Sequence, residues 1–305
     1  MENKCPICAS TQTQEQASYR NNHPSFKNLK RFSCSECELH FANPMPSKLE
    51  LESYNNDYHN IAHGGKERNL KAEAFFIGLA KTRLHFIEQE VPLNSLNSYT
   101  VIEIGPGPGV FASIWLDRFP KTNYLAIETD QSCHSELKEI GVTLIEYIDI
   151  VKFEKKVDFM IMSHVLEHVT EPLDFLNYLI KGLKPNAHMF IEVPCNDWQH
   201  KPLDEPHVLF FDKNSVRKLL ELLSVKIIRI EYYGSTINQL KNKTLIFFKR
   251  VRSYLFKKGI NYFHPEKENL IKMGMNKLQA NAILNFNAHL EQKEPAWWLR
   301  IIFKK

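Results

Sequence analysis

Cys5, Cys8, Cys34 and Cys37 stand as two Cys-x-x-Cys pairs, CPIC and CSEC, with 25 residues between Cys8 and Cys34. Each pair turns two thiolates toward one point. Two such turns complete the tetrahedral four-sulfur set that zinc prefers, with no position left open, so the expected zinc is structural. RFSC (31–34) and ELHFAN (38–43) read as strand segments around the second pair. Residues 1–43 hold too few apolar side chains to fold alone, so the metal is expected to hold this zinc-ribbon module together. Cys133 and Cys195 stand apart and read as small buried side chains rather than nucleophiles.

A second group lies in SYTVIEIGPGPGVFASIWLDRF (98–119): a buried strand, a tight glycine loop and an amphipathic helix. This is how a nucleotide-binding α/β unit opens. Gly105, Gly107 and Gly109 let a ligand approach the backbone at the strand's carboxyl end. The next strand, NYLAIETD (123–130), carries Glu128, 19 residues after Gly109, where an acid meets ribose hydroxyls. The spacing G-x-G-x-G, with Glu103 two residues before the first glycine, departs from the dinucleotide pattern. An acid there suits a ligand with a cationic end. S-adenosylmethionine carries an ammonium and a sulfonium and no phosphate, and it fits better than a pyrophosphate. Asp149 follows a strand at 142–148 and is positioned for an adenine amino group.

The elements that must hold these residues follow a β-α alternation. Further strands are expected at 157–164, 188–194, 225–234 and 297–305, and helices at 165–183 and 214–223. The expected fold is α/β: a Rossmann-like, seven-stranded, mostly parallel sheet with helices on both faces, preceded by the small zinc ribbon. Ligands then sit beyond the strands' carboxyl ends, where Gly105, Glu128, Asp149, His164 and Pro194 fall. The expected division is a zinc-binding module at 1–45, a helical linker or lid at 46–95, and a core at 96–305 with a helical insertion at about 235–292. In the linker, Ser47 and Glu50 have capping-box spacing, 66–91 reads as one long helix, and Tyr54, Tyr58 and His59 are candidates to cover the cleft.

EIGPGPG, AIETD, SHVLEHV, LKPNAHMFIEVP and EPHVLFFD together resemble class I S-adenosylmethionine-dependent methyltransferases. The four-cysteine head, with FANPMPSKLELESYNNDYH, is similar to zinc-headed members such as sugar C-methyltransferases and methyltransferases of polysaccharide gene clusters. The resemblance implies that Glu103, Gly105, Gly107 and Gly109 line the methionine part of the cofactor. It implies Glu128 on the ribose, Asp149 on the adenine, and Ser163 and His164 beside the methyl group. EPH stands where the sugar C-methyltransferases carry a Tyr/Glu/His cluster, so O- or N-methylation is expected as readily as C-methylation.

Transfer of a methyl group from a sulfonium is an in-line displacement, and a hydroxyl acceptor also needs a base. His207, expected in a loop across the cleft mouth, is the first candidate and His164 the second. Glu205 is placed to orient His207. Glu167 and His168 are expected to anchor a helix rather than to bind a metal.

The totals bound the function. A net charge of +4, with Lys+Arg 39 against Asp+Glu 35, is mildly basic, and the ribbon has no dense basic-aromatic stripe. A small-molecule or glycan acceptor is expected, and nucleic acid is not. The alternatives are a zinc-ribbon RNA methyltransferase and a non-catalytic binding protein that keeps the fold. MENKCPICAS has no signal-peptide pattern and no run reaches membrane-spanning length, so a cytoplasmic location is expected. LKNKTLIFFKRVRSYLFKKG (240–259) carries seven Lys/Arg and no acid among apolar residues, which suits peripheral contact with an anionic membrane.

Overall fold

The computed structural model describes residues 3–55, 70–93, 99–257 and 266–305. Twelve strands are described: β1 (Thr13–Ser18), β2 (Lys30–Cys34), β3 (His40–Asn43), β4 (Thr100–Ile104), β5 (Asn123–Ile127), β6 (Thr143–Leu144), β7 (Val157–Ser163), β8 (Leu183–Pro194), β9 (Leu209–Phe210), β10 (Lys226–Thr236), β11 (Glu291–Gln292) and β12 (Ala296–Lys304). They form a four-stranded sheet, β1-β2-β3-β9, and an eight-stranded sheet, β11-β10-β12-β8-β7-β4-β5-β6.

In the large sheet β6, β5, β4, β7 and β8 run parallel. β12 runs against β8, and β10 against β12. The seven expected strands are therefore present in a mostly parallel sheet. The third is shorter than its apolar run suggested. Only Thr143–Leu144 pairs, and Tyr147–Phe153 turns into a 3-10 helix.

Strand alternation sorts the core into two layers. Ile102 and Ile104 of β4, with Met160 and Met162 of β7, face the layer formed by the helices Pro172–Leu179 and Lys213–Leu222. Val101 of β4 and Phe159 and Ile161 of β7 face the helices Leu70–Glu90 and Val110–Arg118. The long linker helix is observed from Leu70; residues 66–69, with Tyr58 and His59, lie outside the described residues. Between β10 and β12 lie the helices Ile237–Lys241, Lys243–Lys257, Lys267–Lys272 and Lys277–Phe286. No helix among the described residues is long and apolar enough to cross a membrane.

The small sheet is completed from outside the head. β9, far along the chain, pairs antiparallel with β3 through His40–Phe210 and Phe41–Leu209. Phe26, Leu39 and Phe41 of the head share one buried cluster with Val208, Phe210 and Phe211. The head thus finds the apolar surface it lacks by joining the core.

Candidate active site

The turn after β4 is set by three glycines, all at positive φ. A Cβ at Gly105 would meet Val165 Cγ2 at 2.4 Å, and one at Gly109 would meet Ile140 Cδ1 at 2.5 Å. A Cβ at Gly107 would meet nothing within 4 Å among the described residues. Two glycines permit close packing and the middle one leaves open backbone beside the strand end. The N–H of Gly107 donates to Glu128 Oε2 at 2.8 Å, and Asp130 N donates to Oε1 at 2.8 Å. Glu128 is thereby fixed at the rim of this opening. Burial raises its pKa despite these two bonds.

Glu103 is buried and accepts a 2.7 Å hydrogen bond from the Tyr124 hydroxyl. Burial pushes its pKa up to about 7. Ser163, at the end of β7, has a buried hydroxyl with no hydrogen-bond partner among the described residues. Asp149 sits in the 3-10 helix, where it closes a capping box on Glu146 and pairs with Lys152 at 2.6 Å.

His164, the residue after β7, is held in the left-handed region at φ 59, with its N–H on the Glu192 carbonyl at 2.9 Å. Its side chain is 34% exposed, and both ring nitrogens face buried carboxylates. Nδ1 lies 3.3 Å from Glu167 Oε1 and Nε2 lies 3.2 Å from Glu192 Oε1. Burial would lower the pKa of the ring, but the two acids outweigh it and raise it. Glu192 is also held by Arg83 Nε at 2.9 Å and Arg300 Nε at 2.7 Å. Burial works against its ionised form, yet these two guanidinium groups hold its pKa well below the carboxylate range.

His207 is not at the cleft mouth. It is 5% exposed, its Nδ1 donates to Asp197 Oδ2 at 2.7 Å, and its Nε2 points toward Glu167. The reason is that the loop at 204–208 is clamped under the head. Tyr19 donates to the His207 carbonyl at 2.7 Å. Arg20 reaches Asp204 through its backbone N–H at 3.0 Å and its Nε at 3.1 Å. Glu205 does not orient His207; its carboxylate accepts from His23 N at 2.9 Å. Asp197 takes that role, and no spacing signal in the sequence marked it. Tyr54 is buried edge-on against His23 and Phe26 rather than over the cleft.

The four head cysteines converge. Cys5 and Cys37 sulfurs are 3.5 Å apart, Cys8 and Cys34 3.6 Å, and Cys8 and Cys37 3.8 Å. None is in a disulfide. The two turns are alike: Ala9 N bonds Cys5 O and Glu38 N bonds Cys34 O, with Ala9 and Glu38 both in the left-handed region. A four-thiolate zinc with bonds of about 2.3 Å sets its sulfurs about 3.8 Å apart, so the donor set fits that ion.

The methyltransferase domain family matches residues 72–231, which contain the glycine loop, Glu128, His164 and Glu192. The chain belongs to this methyltransferase domain family. A curated relative, the probable inactive O-methyltransferase 11 of Dictyostelium discoideum, is 21% identical over 182 residues, 56% of this chain. The chain spans 54% of that relative's length. Among solved structures, the Haemonchus contortus phosphoethanolamine N-methyltransferase 2, determined with S-adenosyl-L-methionine, has a TM-score of 0.50 at 12% identity. It covers 87% of this chain and 62% of its own. A S-adenosylmethionine-dependent methyltransferase from Archaeoglobus fulgidus has a TM-score of 0.48 at 16% identity, covering 75% and 94%. At 12% identity the likeness to the Haemonchus contortus structure is one of fold. The cysteine head precedes the matched methyltransferase region.

Proposed function

We propose that the protein transfers the methyl group of S-adenosylmethionine to a hydroxyl of a sugar or glycan intermediate. The observation that carries this reading is the opening at Gly107, rimmed by Glu128 and neighboured by the unsatisfied Ser163 hydroxyl and the exposed edge of His164. When bound, the cofactor supplies an electrophilic methyl group on a cationic sulfur. Gly105, Gly107 and Gly109 cradle its amino-acid end, and the buried Glu103 lends negative potential beneath the loop. Glu128 accepts from the ribose hydroxyls and Asp149 from the adenine amino group. Ser163 donates or accepts beside the transferred carbon.

The acceptor proton passes to His164. Glu192 is already held by Arg83 and Arg300, so His164 can turn Nε2 from Glu192 toward an acceptor without leaving that acid unpaired. Glu167, behind Nδ1, stabilises the imidazolium that forms. His207 and Asp197 act on this group only through Glu167.

The four cysteines hold a structural zinc, and the head holds the 204–208 loop. The sugar assignment rests on the pairing of this head with this core, as in the zinc-headed sugar enzymes it resembles. The helix Lys243–Lys257 contacts an anionic membrane surface. In support, it has no acid, and Phe247, Phe248 and Tyr254 are exposed. Cosedimentation with phosphatidylglycerol vesicles but not phosphatidylcholine vesicles is the expected result; equal sedimentation with neither removes that contact.

The test of the acceptor is a mass-spectrometric screen of nucleotide sugars, lipid-linked sugars and short RNAs with S-adenosylmethionine. A mass gain of one methylene on a sugar supports the reading. Gain on RNA alone overturns it.

A further inference from the structure

Glu167 is 1% exposed, and among the described residues neither of its carboxylate oxygens accepts a hydrogen bond of good geometry. An ionised carboxylate in such a place is costly unless cations meet it, and His164 supplies one only while its ring is protonated. Three imidazoles surround it: His164 at 3.3 Å, His207 at 3.9 Å and His168 at 4.0 Å, all measured to Oε1.

Two of these rings are fixed in a particular tautomer. His207 Nδ1 faces the Asp197 carboxylate at 2.7 Å, and His168 Nδ1 faces the Pro206 carbonyl at 3.3 Å. Both partners can only accept, so each Nδ1 carries the proton. In the neutral ring the lone pair is then on Nε2, and both Nε2 atoms face Glu167. Metal-ligating histidines have this arrangement: one nitrogen donates to a carboxylate or carbonyl, and the other coordinates.

We propose that Glu167, His168 and His207 bind a divalent first-row transition-metal ion. One ligand atom from each residue lies within 4.8 Å of the others. An ion about 2.0–2.2 Å from each would set them about 3–3.6 Å apart, so side-chain shifts of under an ångström or so complete the site. The scaffold is firm. Val208 N donates to the Glu167 carbonyl at 2.8 Å, and Tyr19 holds the His207 carbonyl. Two imidazoles and one carboxylate leave coordination positions for water or an acceptor oxygen, whose proton the ion would make easier to lose. The donors are nitrogen and oxygen, unlike the four thiolates of the head, so the two sites are separable by their spectra. The inference stands whether or not the protein transfers methyl groups.

The experiment uses the full chain with its thiolate zinc in place and titrates Co²⁺. The expected result is one saturable Co²⁺ per chain, with weak visible bands and no thiolate charge-transfer band. His168→Gln and His207→Gln each weaken binding ~10-fold or more, whereas Glu205→Gln does not. Variants are compared only if they retain the thiolate zinc and the wild-type near-ultraviolet dichroism. X-ray absorption on Co²⁺-loaded wild type needs no variant and should show nitrogen and oxygen scatterers with imidazole features. Absence of saturable binding, unchanged affinity in both folded histidine variants, or sulfur among the cobalt ligands overturns the proposal.

Discussion

The hydroxyl of Tyr19 donates a 2.7 Å hydrogen bond to the backbone carbonyl of His207, 188 residues away in the chain. With Arg20 on Asp204 and β3 on β9, it makes the cysteine head and the loop carrying His207 one mechanical unit. What loosens the head should therefore loosen the histidine cluster.

Tyr19→Phe removes this bond and leaves a buried carbonyl unpaired. A loss of about 1–2 kcal/mol is expected, seen as a lower urea midpoint with an unchanged slope. Amides of residues 204–208 should exchange faster in the variant. An unchanged midpoint and unchanged exchange would show that the head does not brace the loop.

Loss of the zinc proposed for the head should act in the same direction and more strongly. Cys34→Ser, or a chelator strong enough to strip thiolate zinc, should unfold the head, because its binding energy is folding energy for so small a module. The expected readout is proteolysis between residues 9 and 40 with the core helices still protected. Identical digestion before and after zinc removal would mean that apolar contact with Val208 and Phe210 alone holds the head.

The glycine loop separates packing from ligand contact. At Gly107, alanine meets no atom of the described residues and costs only the left-handed backbone penalty, about 1–2 kcal/mol, yet its methyl fills the opening. Gly107→Ala should stay folded and bind S-adenosylmethionine at least ~10-fold more weakly. Gly109→Ala also collides with Ile140 at 2.5 Å and Leu137 at 2.9 Å, so it should lose stability of roughly 2 kcal/mol or more. Equal effects of the two on both readouts would contradict the assignment.

Much of this was legible because it is local. The strand, loop and helix around Gly105–Gly109 and the two cysteine turns depend on neighbours in sequence, and both were expected where they stand. The mostly parallel character of the sheet followed from β-α alternation. What escaped was set by distant partners. Arg83 and Arg300 meet Glu192 across 109 and 108 residues. β9 belongs to the head's sheet although it lies in the core's stretch of sequence. Asp197 reaches His207 because Asn196, in the left-handed region, turns the chain after β8. Neither composition nor periodicity reports such a turn, and the mouth position expected for His207 was wrong for the same reason.

Two pH effects oppose each other. The folded pKa of Glu192 lies well below its ordinary 4.5, so its contribution to stability is present above about pH 4.5 and fades as pH falls. Glu192→Gln should flatten that acid limb and, by leaving Arg83 and Arg300 unpaired, cost about 3–5 kcal/mol near neutrality. His164 is raised above 6.5, so it stabilises fully below pH 6.5 and loses this as pH rises through its folded value. As a base it works in the reverse sense: methyl transfer to a hydroxyl should rise with pH, with a midpoint above 6.5 that disappears in His164→Asn. A rate independent of pH from 5 to 9 would remove His164 as the proton acceptor.

The central claim is a cofactor site built from the glycine loop and Glu128. Calorimetric titration of the wild type and of Glu128→Ala with S-adenosylmethionine and S-adenosylhomocysteine tests it most directly. Saturable one-to-one binding of both ligands is expected, weakened ~10–100-fold in Glu128→Ala, as when two hydrogen bonds to a charged group are lost. No binding by the wild type, or equal affinity in the variant, would contradict it.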